Sequence, residues 1–406
     1  MKVINEYFKV KWVITSNYQY ANHLIVKIFG RKMVGKVNHL LGISGGKDSA
    51  ALAIYLHDKY PTLPVEYYFC DTGKELDDTY ILIENIESYL GKKILKMQAA
   101  EESHLENPFD HFLSLYGGYL PSAQARWCTK KLKLEPFENV VVKDDLSISY
   151  VGIRNDENRE GYISKKENIQ SIFPFRKNIW SEDVIRSVLN NSNKHLLAEI
   201  ALDTLKNGSI DIFTDLILKD VSEYYPQKRK LNDLLTVGIK EFNNIVFIYL
   251  KTTNLPLSYE DVFPLVNNED GLNRNDIFDL LEKSGVGVPA YYKKVEFEVD
   301  EQKGYYSRSR SGCYFCFFQQ KIEWVWLYEQ HRKLFNKSLE YEKDGFAWMS
   351  DEKLTDLIKS ERIRQIKLDY IKKQRNKHKN NLLNFLLTHL LKQKVSDVKR
   401  VLFNYL

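Results

Sequence analysis

Cysteine is scarce in this chain. Four residues in 406, Cys70, Cys128, Cys313 and Cys316, exclude a disulfide-built scaffold, and in a reducing compartment such residues are usually buried, catalytic or metal-bound. No cysteine follows Cys316. Long apolar runs are missing as well: none reaches the roughly 18 residues that span a bilayer. Residues 1–13 alternate charged and apolar side chains, without the apolar stretch and small-residue cleavage site of a leader. Cytoplasmic location and no membrane partner are the expectations. Repeats of solenoid period and long low-complexity tracts are also absent.

What is present is the composition of a globular protein, 44% apolar, 28% charged and 13% aromatic, in a chain long enough for two or three compact units. Its charge is uneven. Residues 356–406 hold 13 Lys or Arg against 4 Asp or Glu, a balance of +9, so the rest of a chain totalling +5 stands at −4.

His39-Leu-Leu-Gly-Ile43 is a short apolar run that meets a glycine turn and then an apolar helical pattern through Ala50, Ala51, Ala53, Ile54 and Leu56. Residues 65–70 form a second strand ending at Asp71-Thr-Gly73, residues 77–90 a helix, and residues 148–153 another strand leading to Gly152 and Arg154. Strands alternating with helices predict an α/β fold with a parallel sheet, whose ligands lie outside the carboxyl ends of the strands. Ser181 is placed to cap a helix through Val184, Ile185, Val188 and Leu189, and Trp180 reads as a core anchor. The resulting division is an N-terminal segment (1–35), the α/β domain (36–190), a helical insertion (191–270), a cysteine-containing module (271–350) and a basic helical tail (351–406).

Strand, glycine turn and helix start together make an anion site, because helix N-terminal amides point at the ligand and glycines admit it closely. Ser44, Gly45, Gly46, Lys47, Asp48 and Ser49 occupy that turn, Lys47 adding a positive charge and the serines hydroxyl donors. The spacing from Gly42 is too short for a Walker A loop, and Asp48 stands where Ser or Thr would bind magnesium. The run resembles the PP-loop of the ATP pyrophosphatase superfamily (adenine nucleotide α-hydrolase-like fold). That resemblance implies ATP with Mg2+ and cleavage between its α- and β-phosphates, with Lys47 and Asp48 the catalytic candidates.

Companion segments follow in order: Phe69-Cys-Asp-Thr-Gly-Lys-Glu75 with Thr79, Val151-Gly-Ile-Arg154 with Glu157 and Arg159, Pro174 with Trp180 and Asp183-Val184, and Arg310-Ser-Gly-Cys313-x-x-Cys316. Together they resemble the phosphoadenosine-phosphosulfate reductase family in the broad sense, over about residues 38–190 and 271–345. The resemblance implies that Asp71, Thr72 and Gly73 lie by the ribose, and Gly152 and Arg154 by the adenine or phosphates. As simpler readings, Asp71 caps the following helix, and Arg154 and Arg159 pair with Glu157 or Glu160. True reductases of the family carry a catalytic cysteine near the C-terminus, whereas this sequence ends Phe403-Asn-Tyr-Leu406; a thioredoxin-type reductase is therefore the alternative reading.

Cys313-x-x-Cys316 by spacing alone is a zinc half-site, a redox pair or a cluster half-site. Cys128, in Arg126-Trp-Cys-Thr-Lys-Lys131, lies where related sulfurtransferases place a cluster ligand. Three thiolates on a [4Fe–4S] cluster leave one iron open, which suits sulfur transfer; zinc is the alternative, with Cys70 or His104 completing its ligands. Cys70 itself reads as a small core residue. Tyr314, Phe315, Phe317, Phe318, Trp324 and Trp326 are expected to shield this site or to form core.

In the tail, Ile363, Ile366, Tyr370, Leu382, Phe385, Leu386, His389 and Leu390 recur at helical spacing. Around them stand Arg364, Lys367, Lys372, Lys373, Arg375, Lys377 and Lys379. A nucleic-acid backbone, a protein partner and plain solvent are the readings of this charge. The combined expectation resembles the DndC-like enzymes of DNA phosphorothioation: an adenylating sulfurtransferase supplied by a cysteine desulfurase, acting on DNA in preference to tRNA, in a phage-defence setting. A non-enzymatic ATP-binding subunit of a defence complex is the third reading.

Overall fold

The computed structural model describes residues 36–100, 107–140, 145–159, 164, 166–205, 210–343, 345–377 and 379. The N-terminal segment 1–35, His104 and the tail beyond 379 lie outside the described residues. Among the described residues no helix is long and apolar enough to cross a membrane. The chain divides into two compact units: residues 1–102 with 129–289, and residues 103–128 with 290–406.

The first unit is built on a five-stranded parallel sheet in the order β3-β2-β1-β4-β5, with β1 at Asn38–Gly42, β2 at Val65–Asp71, β3 at Leu95–Gln98, β4 at Ser147–Tyr150 and β5 at Ile169–Ile172. The parallel α/β fold expected from the alternation is the fold observed. Helix α1 (Lys47–Lys59) connects β1 to β2, and α2 (Asp77–Leu90) connects β2 to β3. β4 then pairs on the other side of β1, with Leu41 opposite Tyr150. The crevice between the ends of β1 and β4 is where a sheet of this order binds ligands.

Ala50, Ala51 and Ala53 are fully buried on α1, and their small side chains let the helix lie close on the sheet. Gly91 ends α2 in the left-handed conformation, the usual glycine C-cap. The strand expected over 148–153 is shorter, because residues 151–154 leave the sheet to form a loop. Trp180 is 1% exposed, as expected of an anchor, and Ser181 stands at the N-cap of α3 (Glu182–Val188) without a side-chain hydrogen bond.

The insertion is helical: α4 (Lys194–Thr204), α5 (Ile210–Leu218), α6 (Gln227–Val237) and α7 (Ile239–Leu250). It shares one continuous apolar core with the sheet, reaching from Val37 to Val286. Polar ties reinforce the join: Gln170 Oε1 accepts from the Leu257 amide at 3.0 Å, and Asn268 donates to the Pro174 carbonyl at 2.7 Å. Helix α8 (Arg274–Lys283) also belongs to this unit.

The second unit joins residues 107–128, including α9 (Pro108–Leu115), to the chain after Ala290. It contains the hairpin β6 (Val295–Val299) and β7 (Gln302–Tyr306), then α10 (Lys321–Gln330), α11 (Arg332–Leu339), α12 (Leu354–Leu357) and a helix over 360–377. Its core is aromatic. Phe109 lies 4.6 Å from Phe315 and 5.3 Å from Trp127, and Phe315 stacks on Trp348 at 4.7 Å. Several tail cations are structural: Arg364 pairs with Asp300 and Glu361, and Lys367 with Glu329. Lys372, Lys373, Arg375 and Lys377 are exposed.

Arg362 grips Glu352 with two nitrogens at 2.8 and 2.9 Å, and Lys321 adds a contact at 2.5 Å. Those hydrogen bonds, Arg362 first, outweigh partial burial and push the Glu352 carboxyl down to about 2. A depressed carboxyl stabilises the fold above its unfolded value and loses that contribution as pH falls through the folded one. Glu352→Gln should therefore lower the melting temperature at pH 7, and the deficit relative to wild type should shrink below about pH 4.5 and vanish near pH 2. Thermal melts of both proteins across that range provide the check.

Candidate functional site

The expected loop sits between β1 and α1, so Ser44 to Ser49 lie at the carboxyl edge of the sheet. Gly46 is the helix N-cap, and no side chain caps the first turn, which leaves helix-start amides directed at the loop as an anion site requires. Ser49 organises the turn: its hydroxyl accepts from the Ser44 amide at 3.0 Å, donates to the Gly46 carbonyl and lies 3.1 Å from the Ser44 hydroxyl. Gly45 has φ +68°, and a β-carbon there would fall 2.2 Å from the Thr79 methyl. Glycine is needed at that position on both counts. Thr79 is fully buried, and its hydroxyl has no hydrogen-bond partner in the structure.

Lys47 is 4% exposed, and its ammonium lies 2.7 Å from Asp48 Oδ2. The other Asp48 oxygen accepts from Arg154 Nη1 at 2.7 Å. One carboxylate thus joins two cations from different loops. Burial pushes the Lys47 ammonium below its ordinary value, against the pull of Asp48. Arg154 is held above its ordinary value despite burial, by Asp48, Asp156 and Glu157. Arg159 also pairs with Glu157, at 3.2 Å, so the ion pair read from the sequence is present. The loop after β4 presses on the loop after β1: a β-carbon at Gly152 would lie 2.8 Å from the Asp48 carbonyl oxygen.

Asp71 ends β2 and is 3% exposed. It does not cap the next helix, whose N-cap is Leu76. Lys96 lies 2.7 Å from Asp71 Oδ2, while Gln98, the Tyr80 hydroxyl and the Gly73 amide donate to its carboxylate. Burial opposes ionisation, but Lys96 and the Gly73 and Tyr80 donors hold Asp71 below the usual carboxylate range. Burial pushes its neighbour Glu75 above the usual carboxylate range, and Thr72 donates to Glu75 at 2.8 Å. The sequence reading missed Lys96, Gln98 and Tyr80. The β2–β3 register, which sets Asp71 opposite Gln98, brings the first two to the site, and spacing along the chain carries no trace of it.

Cys70 is partly buried in the first unit, its thiol donating to the Lys133 carbonyl at 3.5 Å, and burial pushes it up to about 11. That matches a core cysteine. Cys128, Cys313 and Cys316 all fall in the second unit, each partly buried. Among the described residues, no group of three or more His, Cys, Asp or Glu side chains stands ready to hold a metal ion. A different signal marks the cysteine loop. Arg308, 1% exposed, donates Nη2 to the Cys313 carbonyl at 3.0 Å, while its Nε and Nη1 have no hydrogen-bond partner among the described residues. Burial lowers its basicity, while Glu323, Cys316 and Cys313 act to restore it. A buried cation beside two thiols fits a negatively charged sulfur–metal group. Of the aromatic residues expected to shield this loop, Tyr314, Phe315, Trp324 and Trp326 are buried, whereas Phe318 is 39% exposed.

Gly152→Ala should force the Asp48 carbonyl and the helix start apart, costing about 1–3 kcal/mol. Urea unfolding tests this, and nucleotide affinity should fall in the same variant.

The family comparison agrees with this geometry. Residues 38–188 match the phosphoadenosine phosphosulfate reductase domain. An uncharacterized protein of Methanocaldococcus jannaschii is 29% identical over 174 residues, 38% of this chain and 34% of that protein. The tRNA-specific 2-thiouridylase MnmA of Actinobacillus succinogenes is 28% identical over 171 residues, 34% of this chain and 43% of the enzyme. A second uncharacterized M. jannaschii protein is 27% identical over 159 residues, 36% of each chain. The matches span between a third and under half of these relatives' own lengths. With the loop, the sheet order and these matches in agreement, residues 38–188 resemble a phosphoadenosine phosphosulfate reductase domain of the PP-loop kind.

Proposed function

We propose that the chain is an ATP pyrophosphatase that adenylates a substrate for sulfur transfer, with a nucleic acid, DNA before tRNA, as the acceptor. The observation that carries this reading is the buried Lys47–Asp48–Arg154 chain at the start of α1. It concentrates positive charge at a glycine turn where helix amides also point, the arrangement that stabilises a departing polyphosphate. The similarity to a tRNA 2-thiouridylase supports sulfur as the group transferred.

In this reaction a non-bridging oxygen of a DNA phosphodiester attacks the α-phosphorus of ATP, and pyrophosphate leaves. Sulfide, released from a cysteine desulfurase persulfide by a thiol reductant, then attacks the DNA phosphorus. The P–S bond forms as the P–O bond breaks, and AMP departs with the original oxygen. Lys47 and the loop amides take up the charge that builds on pyrophosphate. Asp48 keeps Lys47 and Arg154 aimed at one place. Both Asp48 oxygens are engaged by those cations, so Mg2+, which would supply further charge neutralisation, is better held by the phosphates than by Asp48.

Cys313 and Cys316, with Cys128 from the same unit, would hold a [4Fe–4S] cluster, zinc being the alternative, and Arg308 would balance its charge. Such a cluster supplies a site for sulfide. The exposed cations over 372–377 suit a phosphodiester backbone or an acidic protein partner.

Lys47→Ala should slow conversion of ATP to AMP and pyrophosphate by about 100- to 1,000-fold, the usual cost of losing one pre-aimed charge-stabilising donor. Unchanged turnover in a folded variant would contradict the assignment of the loop. Anaerobic purification should yield iron and acid-labile sulfide with the protein, and stoichiometric zinc without iron would sink the cluster. Arg308→Met should weaken metal retention about 10- to 100-fold, as loss of an outer-shell partner does. Metal analysis of the folded variant after chelator challenge reads this directly.

A further inference from the structure

Two exposed arginines in the second unit converge on one exposed ring. The Arg126 guanidinium lies 5.3 Å from the centre of Phe318, and that of Arg310 lies 5.1 Å from the same centre. Both charges are therefore held within about one screening length of each other, roughly 8–10 Å at physiological salt. Neither arginine forms an ion pair or hydrogen bond with any described residue. Elsewhere in the unit Arg362 and Arg364 are neutralised by Glu352, Asp300 and Glu361. Two like charges on one ring, with no acidic partner among the described residues, repel, and a bound anion would relieve that repulsion.

The bases of this clamp are anchored. Arg126 adjoins Trp127, which is buried and donates its indole N–H to the Tyr119 carbonyl at 3.0 Å. Arg310 stands two residues after the buried Arg308, and Phe318 lies between the half-buried Phe317 and the buried Gln319. The tips are exposed and the backbone beneath them is held. Each member also adjoins a thiol in sequence: Arg126 is two residues before Cys128, Arg310 three before Cys313, and Phe318 two after Cys316.

We propose that Arg126, Phe318 and Arg310 form a phosphodiester clamp that seats a DNA strand beside the cysteine loop. This rests on the sulfur-transfer reading for its purpose, though not for its chemistry. Planar guanidiniums bind phosphate with two parallel N–H···O bonds, and both can reach one backbone segment. The ring fixes their spacing and offers its edge to a base or sugar. An acidic polypeptide would satisfy the charges less well, because carboxylates on flexible side chains do not repeat along a rigid backbone. The clamp would hold a backbone phosphate on side chains that lie within three residues of Cys128, Cys313 or Cys316 in the sequence. No other exposed part of the cysteine loop carries both charge and an aromatic face.

The test uses the full chain and a fluorescent DNA duplex of about 20 base pairs, read by anisotropy between about 50 and 200 mM salt. Arg126→Ala with Arg310→Ala should weaken binding roughly 10-fold and reduce the salt slope by about 2, one unit for each lost phosphate contact. Phe318→Leu should weaken binding to a smaller degree. The Arg126→Lys, Arg310→Lys pair should keep the salt slope, which guards against misfolding as the cause. Arg332→Ala, an exposed arginine of the same unit, should bind as wild type does.

Unchanged affinity and slope in the folded double alanine variant would overturn the clamp. So would an equal loss in Arg332→Ala, which would mark a general charge effect. Loss of polyglutamate binding with DNA binding intact would overturn the choice of a nucleic acid, and clamp-dependent binding of tRNA alone would overturn the choice of DNA. AMP formation from ATP with DNA and sulfide present is measured alongside. If wild type forms no AMP while DNA binding still depends on the two arginines, the clamp stands and the adenylation reading falls.

Discussion

The Asp48 carboxylate is the point on which the first unit turns. It joins a lysine from the helix start after β1 to an arginine from the loop after β4, at 2.7 Å on each side. Without it, two buried or half-buried cations would face each other across the crevice where the strand order reverses, a costly arrangement. With it, the two loops share one geometry, and Gly152 lets their backbones touch. A sheet in the order 3-2-1-4-5 makes the crevice, and the ion chain ties its two sides together. The same logic appears one strand over, where Asp71 collects Lys96, Gln98 and Tyr80.

Much of this was legible in the residues themselves. The turn Ser44 to Ser49, the α2 helix at 77–90 and the parallel alternation announce themselves locally, because a glycine turn, an apolar period and a strand end are properties of a few neighbours. The partners of Asp71 were not. Lys96 and Gln98 stand about 25 residues away, and only the pairing of β2 with β3 brings them to the carboxylate. Asp71 was expected to meet a ribose, and it is already satisfied by protein donors. Phe318 belonged by sequence to a shielding aromatic run and by structure to the surface, since a run of consecutive rings cannot all face one core.

The insertion shows the opposite limit. Residues 191–270 carry no recognisable chemistry, and their pattern reads as a helical insertion. Their apolar faces in fact complete the core under the sheet. Hydrophobic periodicity says that a helix buries one face and is silent on what covers it. The polar residues that settle the matter, Gln170 and Asn268, each bond a distant backbone group, and Asn268 also accepts from the Tyr55 hydroxyl of α1.

The split assembly of the second unit bears on how the protein is made. Residues 103–128 leave the ribosome before the 161 residues 129–289, and their companions begin only at Ala290. At roughly 5–20 residues per second, Phe109 waits about 10–40 s for the ring of Phe315. During that interval the growing chain displays an aromatic surface beside Cys128. The yield of folded protein should therefore depend on translation speed more than its final stability does.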